Sequence, residues 1–458
     1  MTFTSSIFLI GILPWFILIS YLLRNKRNAK IISLLLMNSL FYVWGGVGAF
    51  FYIAFFSAVV WIFTKILSKA KNRFVLGALI TITAFPLILI KYTVFAINNI
   101  NSICHLNISF PNIMTPIGIS FFTFEAISLM CDTYEGRVTS KIPIIETYLY
   151  ITFFATVTSG PILRFHTFKE GLLSQIRPDD YNEAITRLLK GLCKKVLIAD
   201  KIAPLADYYF TVVANGNGFS APGLWIGSVA YTLQLYFDFS GYSDMAIGIG
   251  MLLGFRIPEN FNHPYHAVSI SDFWRRWHIS LSQWFRDYIY IPLGGNRCSA
   301  ARHIFNMLIV WLLTGIWHGA DWSFVIWGLG YFLLLVAEKY IPAMKNIGKT
   351  RFGHIYTMFF VNLLWIPFRA ANLSDTKTFL LGLIGIGTHG GLESIAMDYI
   401  PYMAVAIILC CPVNRLLATF EHKKWLSCVK GMAILITVSW AVSAIINASY
   451  APYIYGNF

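Results

Sequence analysis

The chain has 458 residues, of which 57% are hydrophobic, 17% aromatic and only 12% charged. A soluble domain carries about 25% charged residues, so this composition excludes an ordinary water-facing surface. The net charge of +14 sits in short clusters between apolar runs, a distribution the positive-inside rule explains without nucleic acid. Seven cysteines are scattered with no CxxC spacing, which reads as free thiols packed as small hydrophobes.

Apolar runs follow one another along the chain, at about 7–23, 31–46, 48–64, 74–96, 113–130, 143–158, 187–212, 222–254, 303–317, 322–341, 353–368, 377–390, 399–412 and 430–448. A helical bilayer crossing needs roughly 20 apolar residues. The expectation is an all-α, polytopic integral membrane protein with ten to twelve transmembrane helices, the remaining runs re-entrant or interfacial, and residues 1–458 forming one domain. The first run lacks a preceding basic residue, unlike a cleavable signal peptide. Arg24, Lys26, Arg27 and Lys30 follow it, which sets the N-terminus outside and the first basic loop in the cytoplasm. The next loops alternate in the same way: Trp44–Gly48 uncharged, Lys65–Arg73 basic, Asn98–Asn112 without Lys or Arg. Later basic residues gather at Arg187–Lys201, Arg275–Arg302 and Lys345–Arg351 and are expected at the cytoplasmic interface.

The polar island Gln234–Asp244 interrupts a membrane-length run with Asp238, Ser240 and Asp244. Acids there need cationic partners, and the arginines near residue 275 are candidates. A buried ion pair holding helices together is the plainer reading.

Ser271–Arg297 reads SDFWRRWHISLSQWFRDYIYIPLGGNR. Ser269, three residues before Asp272, is a capping start, and Pro292 with Gly294–Gly295 is a stop. The spacing predicts about 20 residues of helix between them, with Phe273, Trp277, Trp284 and Tyr288 on one face and Arg275, Ser282 and Arg286 on another. Asp272 and Arg276 are spaced for an intrahelical ion pair. Such a charged helix belongs at the interface or beside a wet cavity. Arg275, Arg276 and Arg286 suit the phosphates of a nucleotide-type acyl donor.

His318 ends the apolar helix that follows, sharing a face with Ile304, Leu308, Trp311 and Gly315, with Thr314 one turn before it. Gly319 is a natural stop. A histidine here is either a structural group bonded to a carbonyl or a base for a hydroxyl proton. His263 and His266 flank Pro264 without acidic or thiol companions, so no metal site is expected. No P-loop, Gly-x-Ser-x-Gly elbow or dinucleotide fingerprint is present.

The motifs from Asp272 to Ser282, from Arg286 to Arg297 and from Gly315 through Trp317-His318-Gly319 resemble the membrane-bound O-acyltransferase family. The resemblance is to the branch of the alginate O-acetyltransferase membrane subunit and its peptidoglycan and cellulose relatives. Pro116–Phe124, Ser159–Arg164, Gly191–Lys195, Gln234–Asp244 and Trp365–Ala370 agree in order, so the resemblance spans about residues 35–380. It implies a multi-helix bundle around a tunnel, with His318 as the catalytic histidine and His278 as a second, assisting or structural one. It also implies that Trp274, Arg275, Arg276, Trp277, Arg286, Trp317 and Asp238 surround donor or substrate. The donor implied is acetyl-CoA, with no permanently bound cofactor. The acceptor is a polysaccharide such as alginate or peptidoglycan, or a periplasmic partner protein, outside a bacterial inner membrane. A transporter for an acyl compound and a structural subunit of an export complex are the alternatives.

Overall fold

The computed structural model describes residues 3, 5, 7–23, 26–111, 115–138, 141–174, 178–412 and 424–447. Arg24, Asn112 and most of Met1–Ser6 lie outside them. The described residues are helical and turn structure with no strand. They form two compact units, one of residues 1–188 with 243–259 and one of 189–242 with 260–457.

In the first unit, a π-helical turn at Ile7–Ile12 leads into α1 (Leu13–Leu23), followed by α2 (Arg27–Trp44), α3 (Val47–Lys69) and α4 (Arg73–Cys104). Gly46, with φ 121°, makes the sharp entry to α3, and the Asn72 side chain caps α4 by accepting from the Phe74 N–H at 2.8 Å. These helices keep Phe51, Phe55, Trp15 and Phe74 exposed, an apolar surface of the kind a membrane covers. Behind them, α5 (Ile119–Tyr134), α6 (Ile144–Ile151) and α7 (Phe165–Leu173) carry the buried polar joints. Asn38 donates to the Leu149 carbonyl and the Thr152 hydroxyl and accepts from the Phe154 N–H. α8 (Pro178–Cys193) brings Arg187 to Asp244 at 2.7 Å and to Glu259 at 2.5 Å.

In the second unit, α9 (Asp200–Ala214) follows a π-helical segment, Lys194–Ala199. The long α10 (Ala221–Leu252) runs on past this unit's boundary. Then come α11 (Ile270–Arg276), α12 (Ile279–Phe285), α13 (Ala300–His318), α14 (Trp322–Tyr340), α15 (Gly353–Arg369), α16 (Leu373–Leu383), α17 (Ser394–Cys410) and α18 (Lys424–Asn447). α13 and α14 pack closely because Gly315 and Gly328 face each other. A Cβ on Gly328 would stand 2.5 Å from the Trp311 carbonyl oxygen, and one on Gly315 2.5 Å from that of Phe324. Small residues at such a crossing let helix backbones approach, as membrane helix pairs require.

Against the ten to twelve crossings expected, four helices among the described residues combine the length and apolarity of a full span: α3, α4, α13 and α14. The others are shorter, interrupted or sunk in protein. α5, for example, has 16 residues, nearly all buried, so its apolar run reflects a protein interior rather than a lipid face.

Two local expectations are corrected. The segment from Ser269 to Pro292 is not one helix. Ser269 does cap it, accepting from the Asp272 N–H at 3.0 Å, and Asp272 pairs with Arg276 at 3.0 Å. The helix then breaks at Trp277–His278, where His278 has φ 43°, resumes as α12 and passes into a π-helical turn, Arg286–Tyr290. The acids of α10 are also not paired with the arginines near residue 275. Asp238 lies 2.6 Å from Lys195, which reaches Asp200 at 2.7 Å. Asp244 is held by Arg187, while Arg275 and Arg276 spend their charge on Asp272. A buried acid takes the cation that the fold brings nearest, and here that cation is supplied by α8 and the π-helical segment after it.

Candidate active site

α13 carries the central histidine. Ser299 caps its start by accepting from the Arg302 N–H, and His318 is its last helical residue. The chain leaves immediately because Gly319 is extended, and a Cβ there would overlap the Phe324 ring. His318 is 2% exposed. Its ring is boxed by Trp317, Trp327 and Phe368, with centroid separations of 4.8, 4.9 and 5.0 Å. The sequence face containing Trp311, Thr314 and Gly315 is indeed the one turned inward. Trp327 on α14 and Phe368 on α15 were not singled out by sequence, because nothing local ties them to residue 318.

His278 also neighbours the Trp317 indole, with centroids 6.3 Å apart. It is 1% exposed and sits edge-on to Phe239. Asn260 holds the break in place. Its backbone carbonyl accepts from the Ile279 N–H at 3.0 Å, and its side-chain oxygen accepts from the Ser280 N–H and hydroxyl. The same Oδ1 meets His278 Nδ1 at 3.2 Å. An oxygen already accepting makes Nδ1 the protonated nitrogen, which leaves Nε2 as the acceptor. Burial pushes the His278 imidazole down to about 3, so it is neutral at physiological pH.

Beside α13 lies a cavity of about 150 Å³ whose wall includes Trp274, Ser282, Arg286, Tyr290, Trp311 and Thr314. Thr314 precedes His318 by four residues, one turn or about 6 Å of rise along the same face. The wall is backed by an aromatic cluster: Trp274 meets Trp311 edge-on at 4.7 Å, Tyr331 stacks on Trp311 at 5.4 Å, and the Trp327 ring contacts both Trp311 and His318. Arg286 supplies the charge; its side chain is 58% exposed and bonds Asp287 at 2.8 Å.

The structure thus brings together His278, Trp317 and His318 in one aromatic cluster, and Trp274 with Arg286 at the cavity. Trp277 is core, 1% exposed and packed against Phe261, Phe273 and Trp365. Arg275 and Arg276 are not in the wall of this cavity and pair with Asp272 instead. Asp238 is buried in its ion pair with Lys195. Asn260 was missed, because it acts through a contact 18 residues along the chain.

Residues 114–373 match the membrane-bound O-acyltransferase family. The chain is similar to "Probable alginate O-acetylase AlgI" of Azotobacter vinelandii, with 38% identity over 405 residues, covering 84% of this chain and 79% of the relative. It is 37% identical over 328 residues to the peptidoglycan O-acetyltransferase of Helicobacter pylori, covering 65% of this chain and 62% of that one. A teichoic acid D-alanyltransferase of Bacillus subtilis is 28% identical over 59% of this chain and 70% of its own. The buried histidine, the motifs around it and the spans α13 and α14 stand within residues 114–373. The chain belongs to the membrane-bound O-acyltransferase family, and it is a membrane-embedded O-acyltransferase.

Proposed function

We propose that this enzyme takes an acetyl group from acetyl-CoA at the cytoplasmic side of a bacterial inner membrane and delivers it to a hydroxyl of an extracytoplasmic polysaccharide, directly or through a partner protein. The observation that carries this reading is the placement of His318, enclosed by aromatic rings one helical turn from a residue of the Trp274–Trp311 cavity. The cavity's size supports a short acyl group. An apolar cavity of about 150 Å³ holds a molecule the size of benzene, which fits the acetyl end of a thioester. The names of the alginate and peptidoglycan relatives support an acetyl group and a glycan acceptor.

In the proposed step, His318 takes the proton of the acceptor hydroxyl as its oxygen bonds to the thioester carbonyl carbon. The tetrahedral species collapses with cleavage of the C–S bond, and the imidazolium returns the proton to the departing thiolate. The Trp317 indole N–H is the candidate donor to the transient oxyanion. Neutral His278, fixed by Asn260, packs beside Trp317. Exclusion of water by the aromatic box limits hydrolysis of the thioester.

The test is thiol release and ester formation by the purified protein in detergent, given acetyl-CoA and a hydroxylated acceptor. His318→Ala is expected to lower the rate by about 10²- to 10⁴-fold, the usual contribution of general-base catalysis, with an unchanged melting profile. Full activity in the folded variant removes His318 from the mechanism. Flux of an acyl compound into vesicles without thiol release would favour transport instead.

A further inference from the structure

A second cavity, of about 270 Å³, opens where the first turns of α13 meet the last turn of α14. Its wall includes Ser271, Tyr290, Asn296, His303 and Lys339, and it shares Tyr290, Val310 and Trp311 with the aromatic cavity. The two spaces are therefore neighbours across a common wall, but their linings differ: the first is lined mainly by aromatic and aliphatic side chains, whereas the second sets Ser271, Asn296, His303 and Lys339 among Met307, Val310, Trp311 and Leu335.

The polar groups of the second cavity can be accounted for one by one. His303 lies between two phenols, with Nε2 2.7 Å from the Tyr290 hydroxyl and Nδ1 2.6 Å from the Tyr340 hydroxyl. Ser271 donates both its N–H, at 2.9 Å, and its hydroxyl, at 2.7 Å, to Glu338. Glu338 also takes the Ile270 N–H at 2.5 Å, so this carboxylate is buried and occupied. No acid lines the cavity. What faces a ligand is the exposed ammonium of Lys339 and the exposed amide of Asn296, set against a phenol–imidazole–phenol rail that fixes the wall. A cation and neutral donors with no lining acid select an anion, and an ammonium serves phosphate as a point charge. The arginines expected for that task, Arg275 and Arg276, are tied to Asp272 instead.

We propose that this second cavity binds the phosphate-bearing end of the pantetheine thioester donor, with Lys339 as its charge and Asn296 beside it, while the thioester end occupies the aromatic cavity. The inference rests on the donor reading above. It separates the donor's recognition into an aromatic acyl compartment and a polar phosphate compartment, joined at Tyr290 and Trp311.

The test uses the full-length protein in detergent and three donors: acetyl-CoA, acetyl-4′-phosphopantetheine and acetyl-pantetheine, which lacks phosphate. Lys339→Met is expected to raise KM for acetyl-CoA about tenfold or more, the loss of one charge-assisted hydrogen bond, with kcat changed less than about twofold. Against acetyl-pantetheine, the variant and the unaltered enzyme are expected to be equal. Lys339→Arg is expected to recover most of the loss. A penalty shared by acetyl-4′-phosphopantetheine assigns the pantetheine phosphate, and one confined to acetyl-CoA assigns the nucleotide phosphates. Equal slowing on all three donors, or an unchanged KM for acetyl-CoA, overturns the proposal. If the unaltered protein turns over no CoA thioester at all, the donor reading itself has failed, which is a separate outcome.

Discussion

His278 shows how much a single left-handed residue asks of its surroundings. A non-glycine residue at φ 43° costs of order 1–3 kcal/mol unless neighbours enforce it. Asn260 is that neighbour, and one side-chain oxygen serves the His278 ring, the Ser280 N–H and the Ser280 hydroxyl together. Replacing it, Asn260→Ala, strands these buried donors, so thermal unfolding should show a loss of about 2 kcal/mol or more. The imidazole also gives the fold a pH dependence whose sign follows from its burial. Its folded pKa, about 3, is below the unfolded value near 6.5, so between these limits the unfolded chain binds more protons. Stability should be flat above pH 6.5 and fall as pH drops below it, by up to about 1.4 kcal/mol per pH unit. Melting temperatures between pH 4 and 8 measure this, and His278→Gln should flatten the acid limb. A limb that is identical in the variant would assign the acid sensitivity to other groups. None of this was legible locally: the stretch Trp277-His278-Ile279 holds no glycine or proline, and the contact that bends it comes from 18 residues upstream. What the sequence did show was a histidine ending an apolar run beside small residues, which singles out His318 as a candidate.

At the scale of elements, the periodicities were read correctly even where the helix was not continuous. Phe273, Trp277 and Trp284 are buried, while Tyr288, in the π-helical turn, is half-buried, because each short helix keeps its apolar stripe toward the core on either side of the break. The cap at Ser269 and the stop at Gly319 were likewise visible, since capping is a local matter. The wall of the acyl cavity was not, because α11 and α13 contribute Trp274 and Trp311, with Tyr331 of α14 packed against both, and only packing places these three rings together. That wall is where acyl length should be decided. Trp311→Leu keeps an apolar side chain while shortening the wall between the cavity and Trp327. It should raise the kcat/KM ratio of hexanoyl-CoA to acetyl-CoA by about tenfold or more, the scale on which apolar pockets discriminate methylenes. Competition assays with mixed acyl-CoA donors read this ratio directly. An unchanged ratio in a folded, active variant would move the length limit elsewhere.

For the whole molecule, membrane class was plain from composition, because 57% hydrophobic residues with 12% charge leave no other way to satisfy the exposed apolar faces of α3 and α4. The number of full crossings was less legible. An apolar run reports removal from water, and a helix enclosed by protein, such as α5, removes its side chains as thoroughly as lipid does. Charge asymmetry is the independent signal, and it makes a prediction for the first unit. Lys65, Lys69, Lys71 and Arg73 lie at the junction of α3 and α4, whereas the turn after α4, His105–Phe110, carries no Lys or Arg. α4 is 32 residues long, about 48 Å at 1.5 Å per residue, more than the roughly 30 Å hydrocarbon core of a bilayer. Its two ends must therefore open on opposite faces if it spans. Single cysteines at Lys71 and Asn107, introduced where the native cysteines are replaced by serine, should label from opposite sides of intact cells. A membrane-impermeant maleimide should reach position 107 and leave position 71 unreacted until the membrane is permeabilised. Labelling of both positions from outside would break the assignment of the basic loop to the cytoplasm. Labelling of position 71 alone would invert the unit, placing the N-terminal end of α4 outside against the charge rule.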